Sequence, residues 1–440
     1  MTLPYPSPII VMAFDRPAYL EQVLRSVVAQ QGVDLAARPI WLFQDGSVNP
    51  FSNRVAGRPE NIDASRRVFE RYCPHGQVFD AARNLGVALN FERAEKHAFL
   101  EQAYEAAIFL EDDLVLGPHY IATLDAMIAL GLEDSRIGYV AAYGDHKLPL
   151  AEQQQNPTEL LCLGVNWGFG LLRQQWLRSQ PFVERYLALV RDGDYRRRDS
   201  RRIFDLYSSW GMQRSFSSQD RAKMIACCLT QGLRINTRAV MGQYIGESGE
   251  HSSPGQFDKG GYQRTELWQG GALRFEPISE ADHARLLHAQ HRACVAPVPP
   301  ALPGAMLSLR RSGNGLRALR HGFDAPEPWG SWCGELRGEL MLRIDTAEWL
   351  PGAELVLEAR HATEKGGARV VVVVLCEGVQ CGTLSLGEEL ERVSLPIPPG
   401  MVRPGSMLHL TFISPHLVRR ANRSMQGLGL AAVMLARVPG

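Results

Sequence analysis

Apolar residues fall into two rhythms along this chain, and the rhythm changes after about residue 294. In the front part, short unbroken apolar runs alternate with stretches whose apolar positions recur every three or four residues. The first run is PIIVMA at 8–13, a buried strand. Behind Asp15, Arg16 and Pro17, the residues Leu20, Val23, Leu24, Val27 and Val28 share one helical face. PIWLF at 39–43 predicts a second strand, closed by the turn QDGS at 44–47. Helical spacing covers 62–72 and 88–103. A strand AAIFL at 106–110, a helix over 118–130 and a strand VAAY at 140–143 follow. Strands that alternate with helices predict a mostly parallel sheet with helices on both faces.

From residue 294 the segment CVAPVPPALPGA is proline-rich and reads as a linker. After residue 330 the helical spacing gives way to short strands: ELMLRI, AELVLEA, ARVVVVVLC, GTLSL, ERVSLPI, MLHLTFI and LAAVMLARV. Gly and Pro turns separate them, the pattern of an antiparallel β-sandwich. The expected organisation is an α/β domain over 1–290, a linker over 291–322 and a β-sandwich over 323–440.

A chain of 440 residues is long enough for two cores, in keeping with that division. Lys plus Arg equals Asp plus Glu at 47 each, which argues against a protein that coats nucleic acid. No apolar run approaches the roughly 20 residues of a membrane helix, and MTLPYPSPII lacks a leader's basic and apolar regions. The cytoplasm is the expected compartment. Eight cysteines, at 73, 162, 227, 228, 294, 333, 376 and 381, show no CxxC pair and no zinc spacing. They read as small buried hydrophobes with free thiols.

In a parallel sheet, ligands bind at the carboxyl ends of the strands. Three polar clusters fall there: Asp15–Arg16, Gln44–Asp45 and Glu111–Asp112–Asp113. Three adjacent acids repel one another, so a positive partner is expected. Mg²⁺ and Mn²⁺ prefer oxygen ligands, and one or two carboxylates plus substrate phosphates commonly hold them. The alternative is that the acids favour the start of the helix near Pro118.

The segments PIIVMAFDRPAYLEQVLRSV, WLFQDGS, NLGVALNFERA and FLEDDLVLGPHYI, in this order, resemble the GT-A nucleotide-sugar glycosyltransferases. The EDD form of the DxD motif is most similar to the N-acetylglucosaminyltransferase I type. AAYGDHK at 141–147, GVNWGFGLLRQQW at 164–176, SSQDRAKMIACCL at 217–229 and YIGESGEHSSPGQF at 244–257 continue the resemblance, which covers roughly residues 8–260. It implies a GT-A mixed sheet and Mn²⁺ or Mg²⁺ as cofactor. The implied partners are a nucleotide-diphosphate sugar donor and a glycan, lipid-linked or protein acceptor.

The resemblance also implies roles. Asp113 would ligate the metal, Asp112 would contact the ribose or metal-bound water, and Glu111 the donor sugar. Asp45 would bond the base, or else simply serve the turn before Gly46. Arg16 would contact the nucleotide, and Asn84, with Arg83 beside it, would lie along the nucleotide. Asp220 would be the general base of an inverting transfer, unless its place at a helix start marks capping alone. His251 would reach the metal or a phosphate when a glycine-rich loop closes. Segment 164–176 would form a Gly/Trp turn before a helix, with Trp167 stacking on the acceptor. The strand-rich tail lies outside that family's core and resembles β-sandwich modules appended to bacterial glycosyltransferases. Basic runs at 194–202 and 309–321 read as solvated faces or as contacts for anionic acceptors. Two other classes stay open: a carbohydrate-binding protein with an inactive front domain, and a sugar nucleotidyltransferase. The second lacks a glycine-rich loop after the first strand, where the chain reads FDRPAY.

Overall fold

The computed structural model describes residues 6–213, 215–248, 254–295, 298–324, 326–344, 352–364, 367–402, 407–419 and 425–437. They divide into two compact units, one of residues 1–203 with 216–294 and one of 204–215 with 295–440.

The first unit is built on strands β1 (Ile9–Ala13), β2 (Ile40–Gln44), β3 (Gln77–Asp80), β4 (Ala106–Glu111), β5 (Leu114–Leu116), β6 (Ile137–Ala141), β7 (Leu160–Cys162), β8 (Gly168–Leu172), β9 (Leu233–Thr237) and β10 (Gly242–Tyr244). Helices α1 (Pro17–Val28), α2 (Pro59–Tyr72), α3 (Val87–Lys96) and α4 (Tyr120–Glu133) join the earlier strands. Helices α5 (Leu150–Gln153), α6 (Arg173–Leu187), α8 (Gln219–Leu229), α9 (Pro254–Gly260) and α10 (Glu280–Cys294) follow, while α7 (Ser200–Ser209) begins in this unit and has its residues from 204 on in the second. The main sheet runs β3-β2-β1-β4-β8-β6-β9-β7. Strands β3, β2, β1 and β4 are parallel, as are β6 and β9, whereas β8 runs against both of its neighbours. The sheet is therefore mixed. All five residues of β1 are buried because helices cover both faces, which is why an unbroken apolar run marks such a strand. In α1 the buried positions are Leu20, Val23, Leu24 and Val27, while Val28 is exposed.

The chain departs from the expected elements in several places; the strand expected at 140–143, for example, runs over Ile137–Ala141. Residues 97–101 continue α3 as a π turn, so the regular helix stops at Lys96. Strand β3 was not expected, because QVFD at the sheet edge is half-exposed and has no apolar run. Residues 168–172, expected within a turn, form the central strand β8.

The topology sets the site. From β1 the chain builds outward through β2 and β3, then returns to the other side of β1 as β4. The carboxyl ends of β1 and β4 thus flank the point where strand order reverses, where ligands bind in such sheets. Met12 and Glu111 are register partners there.

The second unit holds the expected antiparallel β-sandwich. One sheet orders β11 (Leu307–Ser308), β21 (Leu428–Arg437), β14 (Ala353–His361) and β17 (Glu391–Ile397), with β12 (Ser331–Trp332) also on β21. The other orders β13 (Arg337–Arg343), β18 (Met407–Ile413), β15 (Val370–Cys376) and β16 (Val379–Leu386). A small ladder pairs β19 (Val418–Arg419) with β20 (Met425–Gln426). Inward residues of both sheets, Leu355, Leu357 and Val433 against Leu342, Val374 and Phe412, share one core. Ala301, Leu307, Leu309 and Ala318, from the proline-rich stretch and the residues behind it, are buried in that same core. No helix among the described residues is long and apolar enough to cross a membrane.

Candidate active site

Strand β4 delivers Glu111, and a two-residue turn places Asp112 and Asp113 before β5. That turn is clamped: β5 pairs with β10, and the Ile245 amide donates to the Asp113 carbonyl at 2.8 Å. Asp112 and Asp113 are each only 4% exposed. Their positive partner is Arg16, the residue just before α1, three positions past the end of β1. Its guanidinium grips both oxygens of Asp112 and donates to Asp113 Oδ2 at 2.9 Å. It also donates to the Ser248 carbonyl at 3.3 Å. Burial alone pushes Arg16 down, but the two carboxylates outweigh it and hold it above its usual range. Burial raises Asp112 and Asp113, and Arg16 opposes the rise in both. One oxygen stays unmatched: Asp113 Oδ1 is buried and has no hydrogen-bond partner among the described residues.

Glu111 is half-buried. Desolvation, then the charges of Asp220, Asp113 and Asp112, push it well up. The second of those causes shows that the fold brings Asp220 to the same crevice. Asp220 lies in the first turn of α8, where the Ser218 hydroxyl caps the helix by accepting from the Arg221 amide at 3.4 Å. The capping role expected for Asp220 thus belongs to Ser218. Asp220 Oδ1 accepts instead from Asn166 Nδ2 at 3.2 Å and from Gln219 Nε2.

Asp45 has a different setting. Its Oδ1 accepts from the Gly46 and Leu85 amides at 2.8 Å each. Its Oδ2 accepts from Asn84 Nδ2 at 2.9 Å and the Gly86 amide at 3.0 Å. Burial raises it to about 6, against the pull of those three amides. The turn reading of Asp45 is therefore realised in full: the carboxylate ties loop 83–86 to the end of β2. A Cβ on Gly46 would lie 2.4 Å from the Arg83 carbonyl carbon, so glycine is required there. Gly86 has φ +78° and packs against Tyr195. Asn84 is buried in this loop, while the Arg83 side chain is exposed.

Trp167 is held next to Glu111, whose amide donates to the Trp167 carbonyl at 3.3 Å. Its ring stacks on Tyr244 at 4.4 Å and meets the edge of Tyr262 at 5.5 Å. His251 lies outside the described residues. In the basic run at 194–202, Asp194 pairs with Arg54, and Arg198 lies over the Tyr195 ring at 4.3 Å.

Two functional candidates were not singled out by the sequence. Asn166, 1% exposed, connects Asp220 to Arg234, whose Nη2 donates to Asn166 Oδ1 at 2.5 Å. Arg234 did carry a signal: it stands in β9, a strand in which every residue is buried.

Among the described residues no ready-made cluster of three His, Cys, Asp or Glu side chains is set to hold a metal. The donor set nonetheless suits a hard cation. It offers aspartate oxygens, one of them buried without a partner, and Mg²⁺ or Mn²⁺ completes its shell with water and substrate phosphates.

Comparison with known proteins places these observations. Residues 2–175 match the sequence model of the GNT-I family. An α-1,3-mannosyl-glycoprotein 2-β-N-acetylglucosaminyltransferase from Arabidopsis thaliana is 24% identical over 143 residues, 31% of this chain. The aligned part is also 31% of that relative, so the chain spans about a third of its length. Looser backbone likenesses are GalNAc-T7 with UDP, GalNAc and Mn²⁺ (TM-score 0.34, 12% identity, 53% of this chain and 43% of that one). TarS 1–349 of S. aureus is another (TM-score 0.32, 11% identity, 64% of this chain and 71% of that one). The stretch from β1 through β8 to the start of α6, with Arg16 and the three β4-end carboxylates, thus matches the GNT-I family.

Proposed function

We propose that this chain is a metal-dependent glycosyltransferase. It moves a sugar, with UDP-N-acetylglucosamine the leading donor, from a nucleoside diphosphate to a hydroxyl of a glycan or other acceptor, with inversion. One observation carries the reading: Arg16, Glu111, Asp112, Asp113 and Asp220, from three distant elements, meet at the carboxyl ends of β1 and β4.

In this reading Asp113, with His251, holds the divalent cation. The cation supplies neutralisation of the diphosphate leaving group. Asp112 faces the ribose or a metal-bound water. Arg16, already the counter-charge of both aspartates, turns to the nucleotide. Glu111 is pushed toward its protonated form, which suits donation to a hydroxyl oxygen of the donor sugar. Asp220 accepts the proton of the acceptor hydroxyl as that oxygen attacks the anomeric carbon. Asp45 acts through Asn84 and Gly86, shaping the loop against which the nucleotide lies, and Arg83 stands exposed beside it. Trp167 and its aromatic neighbours offer the acceptor a stacking wall.

The test is thermal stability with a panel of nucleotides and nucleotide sugars, with and without Mn²⁺, followed by product analysis. Stabilisation by one nucleotide sugar only with metal, and transfer to an acceptor, is expected. No shift with any nucleotide would move a carbohydrate-binding role to the front. Release of pyrophosphate would assign a nucleotidyltransferase.

A further inference from the structure

Arg234 is an expensive residue to keep. It is 2% exposed, and its Nε and Nη1 have no hydrogen-bond partner among the described residues. Among the described residues no carboxylate pairs with it. Burying a guanidinium without a counter-charge costs several kcal/mol, about what a well-packed apolar side chain would avoid. What it does touch is Asn166 Oδ1, at 2.5 Å, and the face of Tyr139 at 5.3 Å.

An asparagine amide can turn either its oxygen or its nitrogen to a neighbour. A guanidinium has only donors, so it takes the oxygen. The nitrogen must then face the other way, and there Asn166 Nδ2 meets Asp220 Oδ1 at 3.2 Å. The backbone holds the pair in place, because the Leu163 amide bonds the Arg234 carbonyl and Gln290 Oε1 receives the Arg234 amide.

We propose that Arg234 and Asn166 are positioning residues that hold Asp220 as an oriented, ionised carboxylate. The proposal rests on the reading of Asp220 as the base. Other titratable groups face Asp220, and Gln219 Nε2 also donates to its Oδ1. Glu111 of β4 faces it with a second carboxyl group, and the Tyr139 and Tyr195 phenols feel its charge. On its own helix the Lys223 ammonium pairs with Glu95 at 2.5 Å. A fixed N–H donor on Oδ1, with a buried positive charge one amide behind it, favours the charged form.

The test titrates Asp220 directly in the full chain, without nucleotide or metal, from the ¹³C signal of labelled aspartate, assigned by Asp220→Asn. In Arg234→Met and in Asn166→Ala the Asp220 midpoint should rise by about one pH unit. Arg234→Lys keeps a donor and a charge and should restore most of it. Should Arg234→Met fail to fold, Asn166→Ala and Arg234→Lys still decide. With the nucleotide sugar found active, turnover in Asn166→Ala should fall about 10–100-fold while nucleotide affinity holds. An Asp220 midpoint that stays put in the folded variants overturns the proposal, even if turnover drops. Full turnover in Asp220→Asn sinks instead the assignment of the base, and leaves the titration result standing.

Discussion

Two strand ends on either side of β1 treat a buried carboxylate in opposite ways. At the end of β2, Asp45 has four donors for its two oxygens, three of them backbone amides. At the end of β4, Asp112 and Asp113 share one arginine, and Asp113 Oδ1 has no partner among the described residues. A saturated carboxylate is a fastener. It has little left to offer a ligand, and its loss frees groups that folding had paired. An under-satisfied carboxylate stores unfavourable energy that a cation can relieve, the usual trade of stability for function. In the proposed reading, the difference separates the residue that builds the site from those that would work in it.

That contrast can be broken experimentally. The largest expected effect lies on the β4 side. Asp220→Asn should cut turnover by about 10²–10⁴-fold while nucleotide still raises the melting temperature. Next comes Asp45→Ala, which strands buried amides and should cost about 3 kcal/mol in denaturant unfolding. An Asp45→Ala protein of unchanged stability would erase the contrast. Asp113→Ala should do the reverse, changing stability by less than about 1 kcal/mol but abolishing the metal-dependent nucleotide shift. In the wild type that shift should be roughly 5–10 °C at about a hundred times Kd.

The smallest effect is one of pH. Asp45 titrates near 6 in the folded chain, above an unfolded aspartate. Between about pH 4 and 6 the folded form therefore holds a proton that the unfolded form has released. Its contribution to stability falls as pH rises through that window and is complete below it. The melting temperature should show a shallow decline there that Asp45→Asn flattens.

The sequence was most legible where burial is two-sided. Strand β1 and the sandwich strands appear as apolar runs or alternations, because each is covered by a face that tolerates little else. Strand β3 was illegible for the opposite reason, being an exposed edge. Strand β8 was hidden by its glycines. Gly168 and Gly170 sit in a packed sheet where a Cβ would collide with Leu114 and Val140, so they mark close packing rather than a turn. In the site, carboxylates that follow strands could be read from order alone. The Asn166–Arg234 contact spans 68 residues and depends on which way one amide points, and no local pattern encodes that. Nor did the string separate Asp45 from Asp113. Both are acids after apolar strands, and only the loop that returns at 84–86 tells them apart.

The Trp167–Tyr244 stack has an optical consequence. Its two rings lie 4.4 Å apart and 10° from parallel. Trp167 accepts the Glu111 amide through its carbonyl, and Tyr244 is the register partner of Leu114. The pair therefore brackets residues 111–114 from both sides. Two chromophores locked at that spacing give a near-ultraviolet circular dichroism band set by their mutual angle. The protein carries its own unlabelled spectroscopic gauge of the carboxylate turn, readable as a cation or nucleotide is titrated in.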